Sequence, residues 1–353
     1  MASPATFTIA RQTCYNTRHC AWLALLEEKN PMSGETWQLG PLTVEPEEKL
    51  RGVFPVDVGA ARISFPIALV NGSEPDPVVL VTSGMDGDEY AGIEAALRLI
   101  DSLNPATLAG RVMICPILDP LSFEALHSQN PLDGLFLKHV FPGDLAGKPT
   151  QRLAYFIQHN FVRGADVWID LHAVETSEEA IPFVWTDQND DAQVNEQNRL
   201  LLHQSGAALG LLHAPGPWNP AQSSMVDNTA LLVSQAGRRH QADEAAIKAH
   251  LGVVRGVLTG MDMLPGAKPH PPTIYLDHEP ILAEHTGLWY PQVKAGDEVR
   301  VGQLLGEVLT LDGQDVQAQV KSTVDGRVLA LYGGLATRPR LRLALIAHRP
   351  QTT

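Results

Sequence analysis

Between residues 61 and 261 short apolar, β-branched runs alternate with helical stretches, and few folds satisfy that pattern. ARISFPIALV (61–70) reads as a strand ending at the turn Asn71-Gly72. PVVLVTSG (77–84) is a run bounded by Pro and Gly of the kind that fully buried strands show. EYAGIEAALRLIDSL (89–103) places Ile93, Ala96, Leu97 and Ile100 three and four apart, which predicts one apolar helical face. The order then repeats: strands at 111–118, 165–173, 181–185 and 229–237, helices at 150–161, 190–209 and 243–261. Such alternation predicts an α/β fold, a sheet with helices on both faces.

The pattern changes after Met263. PGAKPHPP (265–272) breaks the chain, and from Thr273 short strands alternate with the turns Gly296-Asp297, Asp312-Gly313 and Asp325-Gly326. That predicts a small all-β domain over 273–353, after a main α/β domain over 53–272 and an N-terminal extension over 1–52. Within the extension, NPMSGE (30–35) reads as a turn cluster and EPEEKLRG (45–52) as an exposed connection.

Composition narrows the function. With 26 Lys and Arg against 40 Asp and Glu the net charge is −14, which argues against nucleic acid as a partner. No stretch is long and apolar enough to span a membrane, and the first thirty residues lack a signal-peptide pattern. The cysteines Cys14, Cys20 and Cys115 are too few for a disulfide framework, so a cytoplasmic, reducing location is expected. The expected partner is a small-molecule substrate; a homo-oligomer is open.

Two segments concentrate chemistry. SGMDGDEYAG (83–92) lies where a buried strand gives way to a helix, the edge at which α/β sheets bind ligands. Asp86 and Glu89 are three apart there. The plain alternative is that they only cap the helix and complement its dipole. VWIDLHA (167–173) ends another strand with His172, two residues after Asp170. Two carboxylates and one imidazole suit zinc, iron or manganese, and three protein ligands leave room for water. Asp170 is placed to orient a neighbouring group. Glu175, Glu178 and Glu179 read as a solvated loop, although any of them, or Asp227, could reach back as a base. His127 and His213 read as polar surface.

The chain resembles the succinylglutamate desuccinylase/aspartoacylase family, of zinc-carboxypeptidase-like fold, over roughly residues 53–350. DGDE (86–89) stands where the family has HGDE, and DLH (170–172) matches. DP (119–120) and PLDGLFLKHVFPG (131–143) stand where the family has NP and PxDGxxLNRxFPG. AGDEVRVGQLLGEV (295–308) and STVDGRV (322–328) resemble the barrel-sandwich module that many members carry.

The resemblance implies a three-layer αβα sheet and a metal-dependent amidohydrolase, with a divalent metal, zinc first, on Asp86, Glu89 and His172. It also exposes departures. Asp86 stands for a His ligand, Lys138 and His139 stand for the Asn-Arg pair that holds substrate, and Gln235 of QAG (235–237) stands for the glutamate base. The expected activity is hydrolysis of an amide or related ester bond in a small N-acyl compound. Lys138 and His139 would bind substrate, and Gln235 would act at the catalytic position. A catalytically degenerate member that binds small molecules is the alternative.

Overall fold

The structure is a computed structural model and describes residues 34–188, 191–213 and 229–351. Strands β1 (Trp37–Leu39) and β2 (Leu42–Val44) make a hairpin beside the antiparallel pair β3 (Glu48–Asp57) and β4 (Arg62–Asn71). Next come β5 (Val78–Ser83), α1 (Tyr90–Ser102), β6 (Arg111–Cys115), α2 (Pro120–Glu124) and α3 (Pro149–Asn160). They are followed by β7 (Val167–Val174), β8 (Glu178–Ala180), β9 (Phe183–Asp187), α4 (Ala192–Gln204), β10 (Leu209–His213), β11 (Ala230–Arg238) and α5 (Glu244–Gly260). The remaining strands are β12 (Thr273–Leu282), β13 (Gly287–Pro291), β14 (Glu298–Val299), β15 (Leu304–Leu309), β16 (Val316–Lys321), β17 (Gly326–Tyr332), β18 (Ala336–Thr337) and β19 (Arg342–Pro350).

The centre of the large sheet runs β12-β10-β9-β11-β7-β5-β6-β4-β3. Strands β6, β5, β7 and β11 are mutually parallel, so their C-terminal ends open on one edge. Alternation along β5 shows why both faces are covered. Val79 and Val81 pack with Ala95, Ala96 and Leu99 of α1 and with Val254 and Val257 of α5. Val78 and Leu80 pack on the other face with Leu153 and Ile157 of α3 and with Trp168. Successive side chains of a strand point oppositely, so a strand apolar at every position needs a layer on each side. Each such Val or Leu, fully buried, contributes roughly 1.5–3 kcal/mol.

Several expectations shift in detail. The buried face of α1 includes Leu99, while Leu97 is only half-buried, because the helix also packs against α5. The stretch 45–52 is not a connection throughout: from Glu48 it is the outer edge strand, exposed at alternate positions, which is why its composition reads as loop. The helix expected over 190–209 stops at Gln204, and LGLLH forms β10, a parallel neighbour of both β9 and β12. Through β12 the hydrogen bonding of the central sheet continues into β19, β17 and β14. Strands β16, β15, β13 and β18 make a second sheet, and Trp289, Leu305, Val328 and Leu343 pack between the two. Among the described residues no helix is long and apolar enough to cross a membrane.

Candidate functional site

Asp86 and Glu89 lie in the turn between β5 and α1, and His172 lies near the end of β7, next to β5 in the sheet. The turn is tight for a visible reason: a Cβ on Gly87 would sit 2.1 Å from the backbone nitrogen of Phe123 in α2. Glu89 occupies the N-cap of α1, yet its side chain makes no capping hydrogen bond. Capping therefore does not account for it. One donor atom from each of Asp86, Glu89 and His172 lies within 4.8 Å of the others.

All three side chains are buried. His172 Nε2 is 2.6 Å from Asp170 Oδ2, and Asp170 Oδ1 accepts from Thr82 Oγ1 at 2.5 Å. Thr82 Oγ1 in turn accepts from Trp168 Nε1 at 2.7 Å. The imidazole is thus fixed from behind, with Nδ1 turned to Glu89 Oε2 at 2.9 Å but without hydrogen-bond alignment. Asp86 Oδ1 and Glu89 Oε2 are buried and have no hydrogen-bond partner. Orphaned carboxylate oxygens beside an oriented imidazole nitrogen fit a cation, because buried polar atoms are otherwise paired. The expected second role of Asp170, orienting a neighbour, is met at His172.

The other oxygen of Asp86 is fully committed. Asp86 Oδ2 accepts from Lys138 Nζ at 2.5 Å and from Arg239 Nη2 at 2.7 Å. Lys138 comes from the single 3-10 turn Leu137–His139 and lies 5.5 Å from the centre of the Phe136 ring. Arg239 was not singled out in the sequence. It follows a bulge in β11 between Gln235 and Arg238, where Gly237 has φ +75°, and the bulge swings the guanidinium back over the site. There Arg239 also donates to Glu175 Oε2 at 2.9 Å and lies 3.5 Å from Glu89 Oε1.

These neighbours set the ionisation. Burial raises the Glu89 carboxyl and Asp86 adds to the rise, against His172. Burial would raise Asp86 too, but Lys138, His172 and Arg239 outweigh it and hold the group low. Burial would depress the His172 ring, yet Asp170 and Glu89 outweigh it and carry the ring up to about 10. Burial also disfavours the Lys138 ammonium, and Asp86 and Glu89 more than restore it. His139, half-buried, is pushed down by burial and then by Lys138.

Glu89, His172, Lys138, His139, Gln235 and Arg239 line a cavity of about 380 Å³, with Asp86 buried behind the two cations. Gln235 stands directly opposite His172 in the β11–β7 register. Glu175 is exposed on the rim. Glu178 is not the solvated loop residue that its run of glutamates suggests: it belongs to β8, is buried, and accepts a fork from Arg342 of β19, with contacts of 2.8–3.0 Å. Pairing with β17 and with Arg342 pulls it out of solvent. Arg342 also lines the cavity, so guanidinium groups enter from two places that the family spacing does not mark. His127 Nδ1 accepts from Gln129 N within its own loop. Asp227 and the side chain of His213 lie outside the described residues.

The catalytic-domain model of the succinylglutamate desuccinylase/aspartoacylase family matches residues 75–256. The chain belongs to that family. Its members are deacylases acting on N-acyl amino acids. An N-alpha-acetyl-L-2,4-diaminobutyric acid deacetylase of Halomonas elongata is 30% identical over 269 residues, 70% of this chain and 74% of the relative. A succinylglutamate desuccinylase/aspartoacylase structure from Rhodobacter sphaeroides superposes with a TM-score of 0.77 at 22% identity, covering 88% of this chain and 98% of that one. The product-bound ectoine utilization protein EutE (DoeB) of Ruegeria pomeroyi superposes at 0.74 with 20% identity, covering 90% and 99%. These two structures speak to the family fold, of zinc-carboxypeptidase-like type, including the extra C-terminal sheets.

Proposed function

We propose that the protein hydrolyses the amide, or a related ester, bond of a small N-acyl compound with the help of a divalent cation at Asp86, Glu89 and His172. Membership of a deacylase family gives the reaction class. The observation that carries the cation is the pair of orphaned buried oxygens, Asp86 Oδ1 and Glu89 Oε2, beside the fixed His172 ring. Zinc is the first choice, and the two-carboxylate donor set leaves iron and manganese open. Bound there, the ion would supply Lewis-acid activation of water and of the acyl carbonyl.

The chain's own groups divide the remaining work. Gln235, opposite His172, cannot accept a proton; its amide orients water or the acyl oxygen by hydrogen bonding. Proton acceptance then falls to Glu175, since Glu89 faces the ion and Glu178 is tied to Arg342. His139 offers a polar contact, and Arg239 and Arg342 offer positive charge to a substrate carboxylate. The activity of the Halomonas elongata relative makes Nα-acetyl-2,4-diaminobutyrate the first compound to test.

A degenerate binding protein is the second reading, favoured by Gln235 at the base position. Zinc-loaded wild type should release acetate from the compound, and Asp86→Ala and His172→Ala should abolish release. Full activity in either variant would remove the proposed site. No detectable turnover in wild type, with turnover appearing in Gln235→Glu, would favour the binding protein.

A further inference from the structure

Asp86 is held by two cations that arrive independently, Lys138 from the 3-10 turn after Phe136 and Arg239 from beyond the β11 bulge. Both bind one oxygen, Oδ2, and leave Oδ1 bare. Lys138 and Arg239 place two cations within ion-pair distance of Asp86, and Arg239 also lies within that distance of Glu89. Asp86 is therefore already held by two cations before any ion enters. A dication placed on Asp86 Oδ1 sits across a single carboxylate from two fixed positive charges, in a buried setting where such repulsion is weakly screened.

The two cations are not equivalent. Arg239 is anchored at four carboxylates, Asp86, Asp88, Glu89 and Glu175. Lys138 has the Asp86 carboxylate as its ion-pair partner, keeps about a fifth of its side chain exposed, and borders the cavity. Its flexible stem lets the ammonium leave Asp86 without moving the backbone.

Resting on the reading of Asp86, Glu89 and His172 as a cation site, we propose that Lys138 is a resident counter-cation that competes with the divalent ion for Asp86. The site then has two states. In one, Lys138 pairs with Asp86. In the other, the ion takes Asp86 and the released ammonium turns to the cavity, where it meets an anionic group of the ligand. Ion and anionic ligand therefore strengthen each other's binding.

The test is the zinc affinity of the full-length chain, measured by competition with a chromophoric chelator in wild type, Lys138→Gln, Lys138→Met and Lys138→Arg. Gln keeps a donor for Asp86 but removes the charge, and so guards against a folding defect in the Met variant. Competition predicts that Gln and Met bind zinc at least about tenfold more tightly than wild type, about 1.4 kcal/mol, while Arg stays near wild type. A purely structural lysine that positions Asp86 gives the opposite sign. Equal or weaker zinc binding in both neutral variants, with wild type still binding, overturns the competition and leaves the cation site standing. Zinc bound by the neutral variants alone supports the competition. No zinc on any of the four proteins overturns the cation site and the competition together.

Discussion

At the residue scale, what distinguishes this site is how each side chain divides its polar atoms. Asp86 gives one oxygen to Lys138 and Arg239, and His172 gives one nitrogen to Asp170. What remains is Asp86 Oδ1 and Glu89 Oε2, without a hydrogen-bond partner among the described residues, and His172 Nδ1, which faces Glu89 Oε2 at 2.9 Å. Behind this layer a second histidine has the opposite character. His250 on α5 is fully buried, with Nδ1 2.9 Å from Ser234 Oγ, and burial takes it down to about 4. A group depressed in the folded state binds its proton sooner when unfolded, so its contribution is whole above about pH 6.5 and is lost as pH falls toward 4. In urea unfolding, the stability of wild type relative to His250→Gln should therefore fall by roughly 3 kcal/mol between pH 7 and pH 4. A difference that stays flat over that range would mean that the ring is not held neutral.

Of these residues, Asp86, Glu89 and His172 were legible in the sequence. The ends of parallel strands are where an α/β sheet exposes polar groups, and their order along the chain matches the family motifs. Arg239 was not, because a bulge decides where it points, and neighbouring arginines at 238–239 give no sign of the bulge. Lys138 was legible as a site residue, but its commitment to Asp86 depends on the path of a loop that spacing does not specify.

At the element scale most strands were readable, and β10 and the start of β3 were missed for different reasons. LGLLH of β10 follows a helical pattern so closely that periodicity cannot separate them, and Glu48–Gly52 of β3 is polar because it forms an edge. The cavity wall depends on a contact of this hidden kind, Glu178 of β8 with Arg342 of β19, 164 residues apart in the chain. Glu178 is buried and Arg342 is about a third exposed. Replacing Arg342 with Met strands a buried carboxylate, and the cost should be about 2–3 kcal/mol in denaturant unfolding, low for a buried pair because solvent still reaches the arginine. Glu178→Gln added to Arg342→Met should recover much of that loss. A double variant no more stable than the single would place the cost in the packing of the arginine stem instead.

At the scale of the whole molecule, the α/β fold carries the site and the acidic surface, net −14, suits a small-molecule enzyme better than a polyanion binder. Parallel strands deliver the three donors, while loops and the C-terminal strands deliver the cations that surround them. Family membership fixes the fold and the class of chemistry. The departures at Asp86, Lys138 and Gln235 leave one question above the others, whether the triad holds a metal. The direct test is the metal content of the untagged chain after equilibration with excess zinc and removal of free ion, read by mass spectrometry beside Asp86→Ala and His172→Ala. About one equivalent of zinc per chain, lost in both variants, is the expected result for a single site. Wild type that retains no zinc, and none of iron or manganese when they replace it, would contradict the metal centre.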